Sequence, residues 1–345
     1  MAKKVFPGFI DIHTHLREPG AIHKEDFKTG SRAAVKGGFT FIGDMPNNPI
    51  PTVTYQRLKQ KISLADKKAI CDIGFHYGTT GKNIKSFKKA WQSPRVLGLK
   101  IFCNHTTGDL LVNDIVLLKK IFKGWQSKKP ILVHAENVEM AAVIALANLY
   151  KRRLHICHLS QASEVGLVRR AKLRKQQVTA GVCPHHLYLT DKDEKKMGGY
   201  AMMKPSLGTK KDQDELWNGL RSGVIDIIES DHAPHIREEK EQKNPAFGIP
   251  GLETAVGLMF KAVKDKKIKQ SQIIDLFHNK AKKIFNIPNQ PRTYIEIDPG
   301  KEYIVGKEGY ETKCDWSSFA GWKLNGKVEK VVLRGKTLME NGRVI

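Results

Sequence analysis

Two histidines separated by one threonine, His13 and His15, stand near the start of the chain. On a strand, side chains two apart project to the same face, so both imidazoles can address one metal ion. Alone, such a pair is more often incidental than functional. Other residues of ligating type follow at wide intervals: His134 opens His-Ala-Glu136, His158 ends Ile156-Cys-His158, and Asp231 opens Asp-His-Ala-Pro-His235. Lys100 lies inside the apolar run Gly98-Leu-Lys-Ile-Phe102. An unpaired ammonium there is expensive, and it is no metal ligand. Carboxylation by carbon dioxide would turn it into a carbamate whose two oxygens can bridge two divalent ions. The plainer alternative is that Lys100 pairs with Asp231.

Each of these residues falls near the C-terminal end of a predicted strand. Short β-branched apolar runs predict strands at 8–13, 39–44, 69–76, 96–102, 130–134, 154–158, 177–182 and 224–230. Between them, amphipathic stretches predict helices at 28–36, 54–66, 113–122, 138–150, 162–173 and 211–221. Eight strand–helix alternations over about 280 residues are the pattern of an α/β fold of the (β/α)8 barrel type. A doubly wound open sheet is the alternative, but no glycine-rich phosphate fingerprint follows the first strand. In a barrel, the C-terminal strand ends form the mouth where active sites are built. Four histidines, an aspartate and a lysine converging there indicate an active site rather than separately satisfied side chains.

The rhythm changes after 286–292, where Pro288 and Pro291 punctuate the end of a helix. The remainder reads as short strands with turns at Asp298-Pro-Gly300, Asn325-Gly326 and Asn341-Gly342. The expected organisation is a barrel over 9–290 and a small β appendage from 1–8 plus 291–345.

With 345 residues, the chain suits one large or two unequal domains, and 40% apolar with 27% charged residues is globular composition. Lys plus Arg number 59 against 35 Asp plus Glu, a net charge of +24 that raises a nucleic-acid reading. The basic residues are dispersed, however, mostly as pairs in or beside predicted helices, without interleaved aromatics or helix-turn-helix or zinc-finger spacing. A solvated lysine-rich exterior is the reading, with no nucleic-acid partner. The longest weakly polar stretch, 140–150, is about half the ~20 residues of a membrane helix, so no membrane partner is expected. The first five residues lead straight into a structured motif, with no room for a secretory signal. Five scattered cysteines (Cys71, Cys103, Cys157, Cys183 and Cys314) fit the reducing cytoplasm.

With their neighbours, the ligating residues form longer motifs: His13-Thr-His-Leu-Arg-Glu-Pro-Gly20, Met45-Pro-Asn47, Gly98-Leu-Lys100, His134-Ala-Glu136, His155-Ile-Cys-His158, Pro184-His-His186 and Ser230-Asp-His-Ala-Pro-His235. The set, with Pro250-Gly-Leu-Glu-Thr254 and Val331-Val-Leu-Arg-Gly335, resembles the dihydroorotases of the amidohydrolase superfamily over nearly the whole chain. The likeness is nearest to the dihydroorotase domains of animal multifunctional pyrimidine-synthesis proteins. It implies a binuclear zinc enzyme that interconverts N-carbamoyl-L-aspartate and L-dihydroorotate in pyrimidine biosynthesis.

Carried over residue by residue, the resemblance implies one zinc on His13, His15, Asp231 and carboxylated Lys100. A second would sit on His134, His158 and the same carbamate. Asp231 would also shuttle the proton. Arg17 would clamp the substrate carboxylate, with Asn47 and His235 as further contacts and Gly248 offering backbone to the ring. Thr106 matches a loop threonine that closes over substrate, although Thr107 departs from the usual bulky apolar neighbour. Lys204 replaces an arginine, keeping the charge but losing the planar fork. Relatives can hold a third zinc with the equivalent of Cys157 and a seventh-strand glutamate. Gly181 stands in that place here, so two zincs are expected, with Cys157 a buried small residue or weak ligand. Cys103 and Cys183 are read as packing residues. The resemblance further implies a homodimer and association with aspartate transcarbamoylase. The alternatives are a dihydropyrimidinase- or allantoinase-like hydrolase, against which Arg17 and Asn47 argue, and a non-catalytic scaffold, against which the complete ligand set argues.

Overall fold

The computed structural model describes residues 3–105, 108 and 110–345. Numbered along the chain, β1 (Lys4–Phe6) belongs to a second sheet. The barrel strands are β2 (Phe9–Thr14), β3 (Phe39–Asp44), β4 (Asp72–Gly78), β5 (Val96–Phe102), β6 (Ile131–His134), β7 (Leu154–Ile156), β8 (Val178–Val182) and β9 (Ile227–Ile228). Each pairs in parallel with the next in sequence. Every residue of β2, β3 and β5 is buried, because helices cover the outer face and side chains fill the inner one. That double burial is why these strands read as continuous apolar runs.

Three strands have an end two or more residues from where the sequence suggested, and each difference has a local cause. The third begins at Asp72 because the preceding helix, Tyr55–Lys68, runs two residues further; the Ala69 N–H still donates to Ala65 O at 2.8 Å. The sixth ends at Ile156 because His158 turns to φ 36 and gives its N–H to the Glu229 carboxylate. The eighth is only Ile227–Ile228, since the Ser230 N–H leaves the ladder for an Asp11 carboxylate oxygen at 3.1 Å. That bond helps join the last strand to the first. His15 N–H donates to His232 O at 2.8 Å across the same seam, completing a nearly closed barrel.

Helix starts are locally encoded. Asp26 caps Phe27–Lys36, accepting the Thr29 N–H at 2.9 Å, and Thr209 with Asp212 forms a reciprocal capping box on Lys210–Arg221.

The second sheet is antiparallel in the order β1, β10 (Tyr294–Ile304), β11 (Lys323–Leu333), β12 (Lys336–Glu340), β13 (Arg343–Val344). Phe6 of β1 meets Phe260 of the helix Leu252–Lys264 edge to face at 5.8 Å, tying this sheet to the barrel's exterior. Two expected turns are corrected. Asp298-Pro-Gly300 and Asn325-Gly326 lie inside β10 and β11, facing one another where the register shifts, so they form irregularities in long strands. The reversals occur at Arg334-Gly335 and Asn341-Gly342, where both residues of each pair have positive φ, as two-residue hairpins require. No helix among the described residues is long and apolar enough to cross a membrane.

Candidate metal centre

The strand ends bring the expected residues to one small cavity of about 30 Å³, lined among others by His13, His15, Arg17, Asn47, His134, His158, Lys204, Asp231 and Gly248. His13 Nε2 and His15 Nε2 lie 3.4 and 3.0 Å from the same Asp231 oxygen. These three residues each offer a ligand atom within 4.8 Å of the others. Across the cavity, His134 Nδ1 faces His158 Nε2 at 3.1 Å. Two ring nitrogens pointed at one another in a buried site suit a shared cation better than a shared proton.

Protonation favours the same reading. Burial lowers the pKa of His13 to about 4. Burial, and then the charge of Arg17, push His15 well below the ordinary histidine value. His134 is lowered by burial, and His158 by burial and then by His134 beside it. All four are neutral imidazoles near pH 7, the form that offers a lone pair to a metal. Burial raises the pKa of Asp231. Asp231 (φ 45), His158 (φ 36) and Arg17 (φ 61) all adopt left-handed backbone, which re-aims their side chains where strands end.

Lys100 is wholly buried on β5. Its amine donates to Cys157 Sγ at 3.2 Å and lies 5.0 Å over the Phe102 ring. Among the described residues it makes no ion pair, so the alternative pairing with Asp231 is not what the fold adopts.

The expected substrate contacts divide into two groups. Arg17 lines the cavity, with Nε donating to Pro234 O at 3.0 Å and Nη2 to His235 Nε2 at 3.1 Å. Among the described residues, three of its five N–H groups remain without a hydrogen-bond partner, enough for an end-on fork. His235 stands behind Arg17 rather than on the cavity, and its Nδ1 is 2.8 Å from Glu239. Asn47 lines the cavity, and its Oδ1 accepts from His15 Nδ1 at 2.9 Å. Lys204 faces the cavity with its amine 5.0 Å over the Phe247 ring. Gly248 (φ 130) has its N–H on Met202 O and its carbonyl on the Lys240 amine. Thr106 and Thr107 lie outside the described residues.

A family model for the amidohydrolase family matches residues 5–338. The chain belongs to the amidohydrolase family. Among curated relatives, the multifunctional protein pyr1-3 of Dictyostelium discoideum is 40% identical over 344 residues, covering 98% of this chain and 15% of that protein. The chain thus spans a small part of that relative's length. A dihydroorotase of Lactobacillus gasseri is 35% identical over 382 residues, covering 98% of this chain and 88% of the relative. Among solved structures, the L-hydantoinase (dihydropyrimidinase) of Arthrobacter aurescens superposes with a TM-score of 0.94 at 23% identity, covering 99% and 87% of the two chains. That last likeness speaks to fold alone. The resemblance read from the motifs is borne out by the curated relatives.

This amidohydrolase also contains site residues that the sequence reading passed over. Glu229 is wholly buried, with Oε2 3.3 Å from His13 Nδ1 and 3.6 Å from His155 Nε2. Burial works against its charge, but His13 and then His155 outweigh it and hold the carboxyl well below the ordinary range. The sequence shows it only as a carboxylate in an apolar run, two residues before Asp231, with nothing local to give its partner. With His13 and Cys157 it forms a further group of potential ligands, so a carboxylate does stand beside Cys157 despite Gly181. Cys183, His185 and Asp231 form a third group, but burial pushes the Cys183 thiol well above its ordinary pKa, away from the thiolate a metal needs. Lys240, also buried, donates to the carbonyls of Met202, Ala246 and Gly248 at 3.1, 2.6 and 2.8 Å and so holds the cavity's outer loop.

A larger cavity of about 700 Å³ opens at the opposite end of the barrel, among Cys71, Asp72, Arg95, Lys129 and Arg334. It contains none of the convergent histidines, and that end of such barrels serves stability.

Proposed function

We propose that this amidohydrolase is a dihydroorotase, reversibly cyclising N-carbamoyl-L-aspartate to L-dihydroorotate with loss of water, in the cytoplasm. The observation that carries the reading is the convergence of four neutral histidines and Asp231 on the cavity that Arg17 also lines. The name and 35% identity of the Lactobacillus relative support the choice of reaction.

The donor set fits two zinc ions. His13, His15 and Asp231 would hold one, His134 and His158 the other, and Lys100, carboxylated by carbon dioxide, would belong to both. When bound, such a pair lowers the pKa of water and polarises a carbonyl. The chain's own residues do the rest. The three uncommitted donors of Arg17 take the substrate carboxylate in a charge-assisted fork. Lys204 adds positive charge on the cavity's outer side. In the hydrolytic direction, Asp231 accepts the proton of the attacking water and passes it to the ring nitrogen as the carbon–nitrogen bond breaks. A carboxylate placed beside the reacting groups can carry that proton between the two steps. In the biosynthetic direction, Asp231 takes the ureido proton and water leaves. Asn47 keeps His15 in one orientation throughout.

The test is a steady-state assay with dihydroorotate, carbamoyl aspartate and dihydrouracil, with zinc quantified on the same sample. Turnover of the first two with about two zincs per chain is expected. Faster turnover of dihydrouracil would favour a dihydropyrimidinase, and zinc below about one per chain would favour a non-catalytic scaffold.

A further inference from the structure

Gly181 sits on β8, and Glu229 directly follows the neighbouring β9, where Ile227 pairs with Gly181. A Cβ built on Gly181 would lie 2.5 Å from Glu229 Oε1 and 2.6 Å from its carboxyl carbon. Any side chain at 181 would therefore have to displace the Glu229 carboxylate, because the two positions compete for one volume inside the barrel. Gly181 is the vacancy into which Glu229 folds.

What Glu229 does there follows from its contacts. Oε2 takes the Nδ1 side of His13, 3.3 Å away. A proton held on Nδ1 by that carboxylate leaves Nε2, which faces Asp231, as the lone-pair nitrogen. Oε1 accepts the backbone N–H of His158, at the residue where the strand turns to φ 36 and the ring swings toward His134. One buried carboxylate thus fixes the tautomer of a histidine on one side of the cavity and the backbone of a histidine on the other. We infer that Glu229 is a positioning residue for both halves of the centre, supplied from just past the eighth strand into space that Gly181 leaves open. The inference rests on the proposed metal centre and adds the residue that orients it.

Competition of the purified enzyme with a fluorescent chelator for zinc tests this. Glu229→Gln keeps the shape and can still accept from His158. Its amide, however, would donate to His13 Nδ1 and drive the ring proton to Nε2. We expect zinc affinity to fall 10–100-fold and the ring-nitrogen NMR signals of the zinc-free protein to report an inverted His13 tautomer. In Glu229→Gly the affinity falls as well. The exchange variant Gly181→Glu/Glu229→Gly, which returns a carboxylate to the same volume from the other strand, recovers at least about tenfold of that loss. Wild-type affinity in a folded Glu229→Gln, or no recovery in a folded exchange variant, overturns the inference. So does loss of one zinc equivalent with the rest unaffected, since Glu229 would then be a ligand. If wild-type protein takes up no zinc at all, the metal centre itself fails, a result distinct from the other three.

Discussion

A wholly buried amine whose hydrogen-bonding neighbour is a thiol is an unstable arrangement for an ammonium. On the proposed function, carboxylation of Lys100 would replace that costly cation with an anion among the histidines and Asp231. Lys100→Ala is accordingly expected to abolish turnover and metal binding together, read by zinc analysis and assay on one preparation. Retention of both zincs would mean that the bridge has been assigned to the wrong residue. At this scale, the residues that converge at the strand ends were legible because histidines and a lysine are conspicuous at apolar strand ends. Glu229 was not, because its meaning lies in His13, 216 positions away, and no local pattern announces that pairing. His235, placed by its motif as a substrate contact, has its ring nitrogens on Arg17 and Glu239.

The alternation of strands and helices was readable because burial on two faces imposes apolar runs and burial on one imposes helical periodicity. Strand ends were less so, since they are set by where backbone N–H groups go, and several go to distant carboxylates. Asp11 is the clearest case. Buried on β2, it accepts the N–H of His13 at 3.0 Å and of Ser230 at 3.1 Å, closing the barrel at its one seam without a continuous ladder. Burial raises its pKa to about 7. Asp11→Ala leaves two buried donors unmatched, a loss of roughly 2–5 kcal/mol, to be measured by urea unfolding of zinc-free protein. Asp11→Asn retains an acceptor oxygen of the same reach and should fall much closer to wild type. An alanine variant as stable as wild type would show that the seam is held elsewhere. The same reasoning explains the misplaced turns. Asn-Gly marks a hairpin only where the chain reverses, and in β11 it is instead the point at which two long strands slip register.

At the scale of the whole molecule, a net charge of +24 surrounds a site proposed to take an anion. Many lysines are spent locally: Lys68 pairs with Glu18, Lys264 and Lys323 with Glu302, and Lys313 with Asp26. The excess still leaves a positive field at long range. That field and Arg17 differ in how they respond to salt. Exposed charges are screened over about 8 Å at physiological ionic strength, whereas a buried fork meeting a carboxylate is screened little. Raising salt from about 20 to 500 mM should therefore lower kcat/KM for dihydroorotate through slower encounter, leaving kcat nearly unchanged. Arg17→Lys keeps the charge and loses the fork, so it should lower kcat/KM by a factor that is the same at every salt concentration, with Arg17→Ala worse by a further step and zinc content unaltered. The two variants together should span roughly 2–5 kcal/mol of transition-state binding. If the Arg17 defect instead shrank as salt rose, Arg17 would be one contributor to a diffuse field, and recognition of the carboxylate would have to be sought at Lys204, the other cation on the cavity wall.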